Sequence, residues 1–460
     1  MTPVLRAAAP AAGPHSCGTR ERGGLGLLPL VCLIYLVVSG GAYGMEDAVR
    51  IAGPRLTLIL CVIIPLTLSL PTALMTAELT ALIPVEGGFY FWVKEGLGPF
   101  AGFVEAYVTL LFTAVDTAIY PVLFATYLGY LIPLSTHGQV ALSIGLIWVA
   151  GLLNLAGVKL VGNTSVAFMV ALTAPFAALV LLGLPRLIHW QMPSQPLIGD
   201  DFLGALGGGL TIVMWNFGGW ENVSVVAGEI ERPGRNYLRA VTIALPMVTL
   251  GYLLPLGVTL SGVASTADWR TGWFAAEGVL LGGRLLGAAI SVGGAVAAFA
   301  MFAAAILWVS RLPFVLASEG YLPRGLTRIW EAREVPARSI LACCVVFSLL
   351  APLGFMTLVV LDVFFYMLAL MLEMGALIRL RRLRPQRDGL FVLGGGRAGL
   401  YLAAAAPLVT WLATFGFALT QSADRREFAV AIALLAGAWP LYAFLRGRYG
   451  GPPASPQPIA

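Results

Sequence analysis

The stretch VSGGAYGMEDAVRIAGP, residues 38–54, interrupts an apolar run that begins near residue 25. A second stretch, WNFGGWEN at residues 215–222, interrupts another apolar run that begins near residue 202. Each glycine costs a helix about 1 kcal/mol relative to alanine. An unwound segment also leaves main-chain N–H and C=O groups without helical partners. Inside a bilayer, bare backbone of this kind survives only where protein or a watery cavity surrounds it. Glycine breaks at corresponding positions of two halves of a chain therefore point to a small-molecule site between them. Acidic residues follow both breaks: Glu46 and Asp47 after the first, Glu221 after the second.

Composition sets the class. Of the 460 residues, 59% are hydrophobic and only 11% are charged, whereas a soluble domain carries about 25% charged residues. That balance excludes a soluble enzyme, a nucleic-acid binder and a disordered chain. A spanning helix needs about 20 mostly apolar residues. Spans are expected at 25–50, 56–82, 98–131, 138–156, 161–184, 202–228, 238–263, 280–312, 339–353, 356–379, 398–420 and 427–445. The expected fold is an all-α polytopic membrane protein with twelve transmembrane helices, the first and sixth of them broken. Most of the 28 Lys and Arg residues then fall on the side of the N-terminus, so the positive-inside rule places both termini in the cytoplasm. The tails, 1–24 and 447–460, are too poor in apolar pattern to fold by themselves.

Other signals carry little chemistry. The five cysteines show no CxxC spacing and read as small buried hydrophobes. The three histidines are scattered, so no metal site is expected. Gly394–Gly399 spells GxGxxG, but no strand or βαβ unit surrounds it. No Walker motif occurs, and no cofactor is expected. The sequon at Asn163-Thr164-Ser165 falls at a span end on the cytoplasmic side.

A carboxylate near the bilayer centre costs at least about 2.5 kcal/mol, so acidic residues within spans are functional candidates. Glu46, Asp47, Glu78, Glu105, Asp116, Glu221, Asp362 and Glu373 lie within or at the edges of the spans, and no Lys or His falls in a span interior. That surplus suits a cationic or amine-bearing ligand, a proton, or both. Glu46 and Asp47 also suit a helix N-terminus, where carboxylates are favoured. Glu78, near a span end, reads as structural. Glu105 reads as near enough to the surface to meet water, and Asp362 and Glu373 are not assigned to a site. Tyr43, Phe217 and Trp220 flank the breaks, where aromatic faces can hold a cation.

These segments resemble the amino acid–polyamine–organocation superfamily, and within it the polyamine and cationic amino acid permeases. The resemblance rests on residues 38–54, on LPTALMTAELTALIPVEGGFYFWVKEGLGPFAGF (70–103) and on AVDTAIYPVLFATYL (114–128). It continues through WNFGGWENVSVVAGEIERPGRNYLRA (215–240) and SRLPFVLASEGYLPRGLTRI (310–329), and thins out over the last spans. It implies an inverted five-plus-five repeat, with one half at 25–184, the other at 202–379, and two added spans at 398–445. The transporter domain would cover 25–446.

The implied function is secondary active transport of an amino acid or polyamine by alternating access across the plasma (inner) membrane. The favoured substrate is a cationic amine coupled to a proton; a neutral amino acid permease or exchanger and a non-transporting sensor are the alternatives. Ser39, Gly40, Gly41, Tyr43, Gly44 and Glu46 would bind substrate from one break, and Phe217, Gly218, Gly219, Trp220 and Glu221 from the other. Glu221 matches an acidic position of the polyamine-transporting relatives. Asp47 and Asp116 are candidates for coupling the proton, although another cation stays open. Some proton-coupled relatives place a lysine in span 5, and this chain has only Lys159 at that span's edge. The external loop 131–139 lacks the cysteine that relatives with a heavy chain use, so no disulfide-linked partner is expected.

Overall fold

A computed structural model describes residues 26–83, 88–156, 165–188, 190–193, 201–222, 233–263, 265–318, 321–330, 335–383, 391–420 and 425–449. The tail 1–24, residues 450–460, Lys159, Asn163, Thr164 and residues 223–228 of the sixth expected span lie outside the described residues. Among the described residues the chain is helical. The described residues form no strand, only an isolated bridge between Trp330 and Val335.

Helices α1 (Leu27–Val38) and α2 (Met45–Ala52) replace the first expected span. α3 (Pro54–Ile64) and α4 (Leu70–Leu82) run on through a single π turn at Pro65–Ser69. Pro65 has no N–H to give, so the hydrogen-bond ladder slips there. α5 (Gly88–Leu97), α6 (Pro99–Leu131), α7 (Thr136–Leu155), α8 (Ser165–Ile188) and α9 (Phe202–Asn216) follow. Ser135 caps α7 by accepting from Gly138 N at 3.2 Å, and Asp201 caps α9 through Gly204 N at 3.3 Å.

The second half contains α10 (Pro233–Leu260), α11 (Trp273–Val309), α12 (Arg311–Ser318), α13 (Ala337–Leu350) and α14 (Phe355–Leu383). α15 (Gly396–Thr420), α16 (Arg425–Ala436) and α17 (Ala438–Tyr449) close the chain. α11 begins seven residues before the expected 280 and bends at Gly282–Gly283, where Gly283 has φ of +73°.

Ten helices among the described residues are long and apolar enough to cross a membrane. Two expected spans are shorter: Leu27–Val38, cut by the first break, and Ala337–Leu353, which ends in a 3-10 turn before Gly354. α6, α11 and α14 are mostly buried, and α6 packs against both of the others at the centre. α8, α15 and the α16–α17 pair are mostly exposed and present residues such as Leu181, Leu402 and Leu441 outward. An apolar outer surface of this extent fits lipid as its solvent.

At the C-terminal end of α14, Arg381 closes a two-pronged ion pair on Glu78 of α4. Glu78 also accepts from Leu393 N at 2.8 Å, and Arg381 donates to the Leu393 carbonyl at 3.1 Å. This pair fixes the chain that leads into α15, the structural part that Glu78 was expected to play.

Candidate functional site

α1 stops at Val38, and Ser39 begins six non-helical residues. Gly41 and Gly44 sit at φ of +85° and +86°, a region that costs an L-residue about 1–2 kcal/mol. A Cβ on Gly44 would stand 3.1 Å from the Phe355 ring and 3.2 Å from the Trp215 ring. Gly41 N donates to Ser39 Oγ at 3.3 Å, and Tyr43 turns inward to give its hydroxyl to the Ile290 carbonyl at 2.9 Å.

The acidic pair after this break is fully engaged. Glu46 accepts from Gly44 N (2.8 Å), Gly272 N (3.1 Å) and the Tyr127 hydroxyl (3.1 Å). Asp47 accepts from Arg50 at 3.2 Å, from Thr271 N at 2.9 Å and from the Thr271 hydroxyl. Together they fasten α2 to the turn that starts α11.

The second break is held by side chains. α9 ends at Asn216, whose carbonyl accepts from the Tyr252 hydroxyl at 2.8 Å. The Phe217 carbonyl accepts from Ser69 Oγ at 2.9 Å and Trp220 Nε1 at 3.0 Å. Gly219, at φ of +84°, donates its N–H to the Tyr366 hydroxyl oxygen at 3.1 Å. Tyr366 in turn donates to Glu221 Oε2 at 2.9 Å, while Glu221 Oε1 is buried without a hydrogen-bond partner.

Between the breaks lies a narrow cavity of about 70 Å³. Gly40 and Tyr43 reach it from the first break, Gly218 and Gly219 from the second, Asp116 from α6 and Asp362 from α14. Aromatic rings supply much of the remaining wall, including Tyr120, Tyr127, Trp215, Tyr252 and Tyr366. Asp116 accepts from Tyr120 at 3.0 Å and from Trp215 Nε1 at 3.2 Å. Asp362 is 5% exposed, and its Oδ1 has no hydrogen-bond partner. Asp362 lies within Coulombic reach of both Asp116 and Glu221. Among the described residues, no Lys, Arg or His lines the cavity.

A second, more apolar space begins at the same Asp116 and Tyr120 and runs between α1, α8 and α11 past Leu33, Phe168 and Trp308. The opposite end is covered by Tyr43 packed on Tyr127 at 4.6 Å, with the Glu46–Gly272 bond beyond them.

Of the residues singled out in the sequence, Gly40, Tyr43, Gly218, Gly219 and Asp116 meet at the cavity. Ser39, Gly41 and Gly44 shape the first break from behind the wall, and Glu46 and Asp47 face the α11 turn. Phe217 and Trp220 are fully buried core residues, Phe217 against Tyr252 at 4.9 Å. Glu221 stands behind Tyr366. Sequence reasoning passed over Asp362, Tyr366, Trp215 and Tyr127. One signal was present: Asp116–Tyr120 and Asp362–Tyr366 are both four residues apart, which puts each carboxylate and phenol on one helix face.

The arrangement suits a small cation. Two wall carboxylates with a third close by attract positive charge, and ring faces add about 0.5–2 kcal/mol per contact. A sequence profile described as amino acid permease matches residues 25–435. The chain is 32% identical to polyamine transporter PUT1 of Oryza sativa subsp. japonica, over 86% of this chain and 78% of that one. It is 32% identical to polyamine transporter RMV1 of Arabidopsis thaliana, over 83% and 78% respectively. It is also similar to large neutral amino acids transporter small subunit 2 of Homo sapiens, at 25% identity over 74% of this chain and 66% of the other.

Proposed function

The chain belongs to the amino acid permease family, and on that premise we propose that it carries a cationic amine, a polyamine or a cationic amino acid, across the plasma membrane. It is a membrane transporter, not an enzyme. The observation that supports the cationic substrate is the cavity wall itself, with Asp116 and Asp362 facing a space that no basic side chain among the described residues enters. One ammonium sits between these two carboxylates, with Tyr120 and Trp215 holding Asp116 in place. Glu221, through Tyr366, ties the second break to the same charge balance.

In this reading the two breaks open two five-span halves related as inverted repeats, within twelve spans whose termini face the cytoplasm. The apolar space past Leu33 and Trp308 is then the amine's way to the cytoplasm, and the Tyr43–Tyr127 and Glu46–Gly272 contacts close the outer side. Rocking one bundle against the rest alternates access. A proton is the coupling ion, because the buried carboxylates can hold one.

An amino acid, neutral or cationic, would need free helix N-terminal N–H groups for its carboxylate, whereas a polyamine needs none. Here the Gly44 N–H at the start of α2 already donates to Glu46, so the chain's own carboxylate occupies that place. Counterflow in proteoliposomes tests the choice. Labelled putrescine is expected to exchange against the unlabelled amine, and leucine is not. Leucine exchange without amine exchange would replace this reading with the neutral one, and no movement of any solute by folded protein would end both.

A further inference from the structure

Two buried carboxylates beneath the cavity have no part in holding the amine. Glu105 on α6 is 0% exposed and Glu373 on α14 is 2% exposed, and the Oε2 atom of each lacks a hydrogen-bond partner. Their placement is regular. Glu105 precedes Asp116 by the same eleven residues that separate Asp362 from Glu373 on the other helix. Eleven residues make just over three helical turns, so each pair shares one face, about 16 Å apart along the axis. The two faces meet: Phe112, between the α6 carboxylates, packs edge-on against Tyr366, between the α14 carboxylates, at 5.7 Å.

Because α6 rises as α14 descends, Asp116 and Asp362 occupy one end of this seam and Glu105 and Glu373 the other. Glu221, hydrogen-bonded to Tyr366, stands between the levels and is within Coulombic reach of Glu105, Glu373 and Asp362. Glu105 Oε1 accepts from Thr109 at 2.9 Å, so each end of the seam keeps an oxygen free.

The charged groups of the elements packed around the lower end are engaged or turned outward. Lys94 of α5 holds its ammonium 5.0 Å over the Tyr90 ring, and Glu95 is exposed. Glu78 of α4 is closed on Arg381. Arg379 of α14, Arg311 of α12 and Arg446 and Arg448 of α17 are exposed. Arg338 on α13, Arg397 on α15 and His137 on α7 lie in first turns, and Glu277 and Arg284 of α11 lie toward the other end of the bundle. Two buried carboxylates within Coulombic reach of each other repel, since Coulomb energies grow as the dielectric falls. A single proton shared between them removes that repulsion.

We propose that Glu105 and Glu373 share the coupling proton at the cytoplasmic end of the α6–α14 seam, so that proton and amine occupy separate sites joined through Glu221 and Tyr366. The proposal rests on the transport reading above. The proton passes as H⁺ between carboxyl oxygens, and only O–H bonds are made and broken. An ammonium arriving at Asp116 and Asp362 shifts the charge that Glu221 feels, which favours release of the shared proton.

The test uses the full chain in liposomes with an imposed proton gradient and labelled putrescine as probe. Wild type is expected to concentrate putrescine severalfold over its equilibrium level. Glu105→Gln and Glu373→Gln, which imitate a protonated carboxyl in shape and neutrality, are expected to equilibrate putrescine without concentrating it. Proton release into weak buffer on putrescine binding, seen in wild type, is expected to vanish in both. Gradient-driven concentration by both variants at the wild-type level would overturn the proposal. So would a wild type that equilibrates putrescine but ignores the gradient, leaving the transport reading intact. A wild type that moves no putrescine would remove the transport reading and this one with it. Should a Gln variant fail to fold, proton release by wild type on putrescine binding decides alone, and its absence would overturn the proposal.

Discussion

Asp362→Asn is expected to lower putrescine affinity more than a hundredfold while leaving the protein at least as stable as wild type. The substitution keeps the side chain's shape and removes its charge. Losing one partner of a buried charge pair costs about 3–5 kcal/mol, and about 1.4 kcal/mol is a tenfold change in affinity. Asp362 is the cleanest wall carboxylate for this purpose, because its Oδ1 makes no hydrogen bond that the change would break. Asp116, by contrast, accepts from both Tyr120 and Trp215, and an amide there would set its own N–H₂ against one of those donors. The empty protein also loses a source of repulsion, since Asp362 lies near Asp116 and Glu221. Equilibrium binding of labelled putrescine and thermal unfolding, measured on the same preparation, separate the two effects. Affinity within threefold of wild type would take Asp362 out of the site, and a stability loss with unchanged affinity would make it a structural residue.

Gly44→Leu is expected to abolish putrescine transport while the protein still inserts and folds. The residue has φ of +86°, which costs a branched side chain about 1–2 kcal/mol. Its Cβ would meet Phe355 and Trp215 at 3.1 and 3.2 Å, and the rest of the leucine needs space those rings now fill. Trp215 is the donor that orients Asp116, so displacing it disturbs the wall carboxylate as well as the break. Gly44→Ala adds the backbone strain with one methyl group and is expected to retain part of the activity. Uptake is compared with the amount of folded protein in the membrane. Normal uptake by Gly44→Leu would mean that the glycine serves helix packing alone.

Much of the helical layout was legible in the sequence because glycine pairs inside apolar runs have few uses in a bilayer. Ser39 to Gly44 and Phe217 to Gly219 are non-helical in the structure for that reason. The destination of the acidic residues was less legible. Glu46 and Asp47 adjoin a break, yet their partners Gly272 and Thr271 are more than two hundred residues away, and no local pattern announces them. Trp220 also adjoins a break, but its indole folds back onto the Phe217 carbonyl and fills the core. Asp362 and Glu373 were underweighted because the family resemblance fades over α14. The readable sign was periodic: Asp362, Tyr366 and Glu373 fall on one face of α14, as Glu105, Thr109 and Asp116 do on α6. Only the packing of Phe112 on Tyr366 shows that these faces meet.

The central claim is that an ammonium lies between Asp116 and Asp362, in the space bounded by both helix breaks. A structure determined with saturating putrescine tests it most directly. The account predicts one putrescine nitrogen about 2.7–2.9 Å from a carboxylate oxygen of Asp116 or Asp362, within about 6 Å of an aromatic ring of the wall. Putrescine bound elsewhere, with this cavity empty and both carboxylates unmoved, would contradict it.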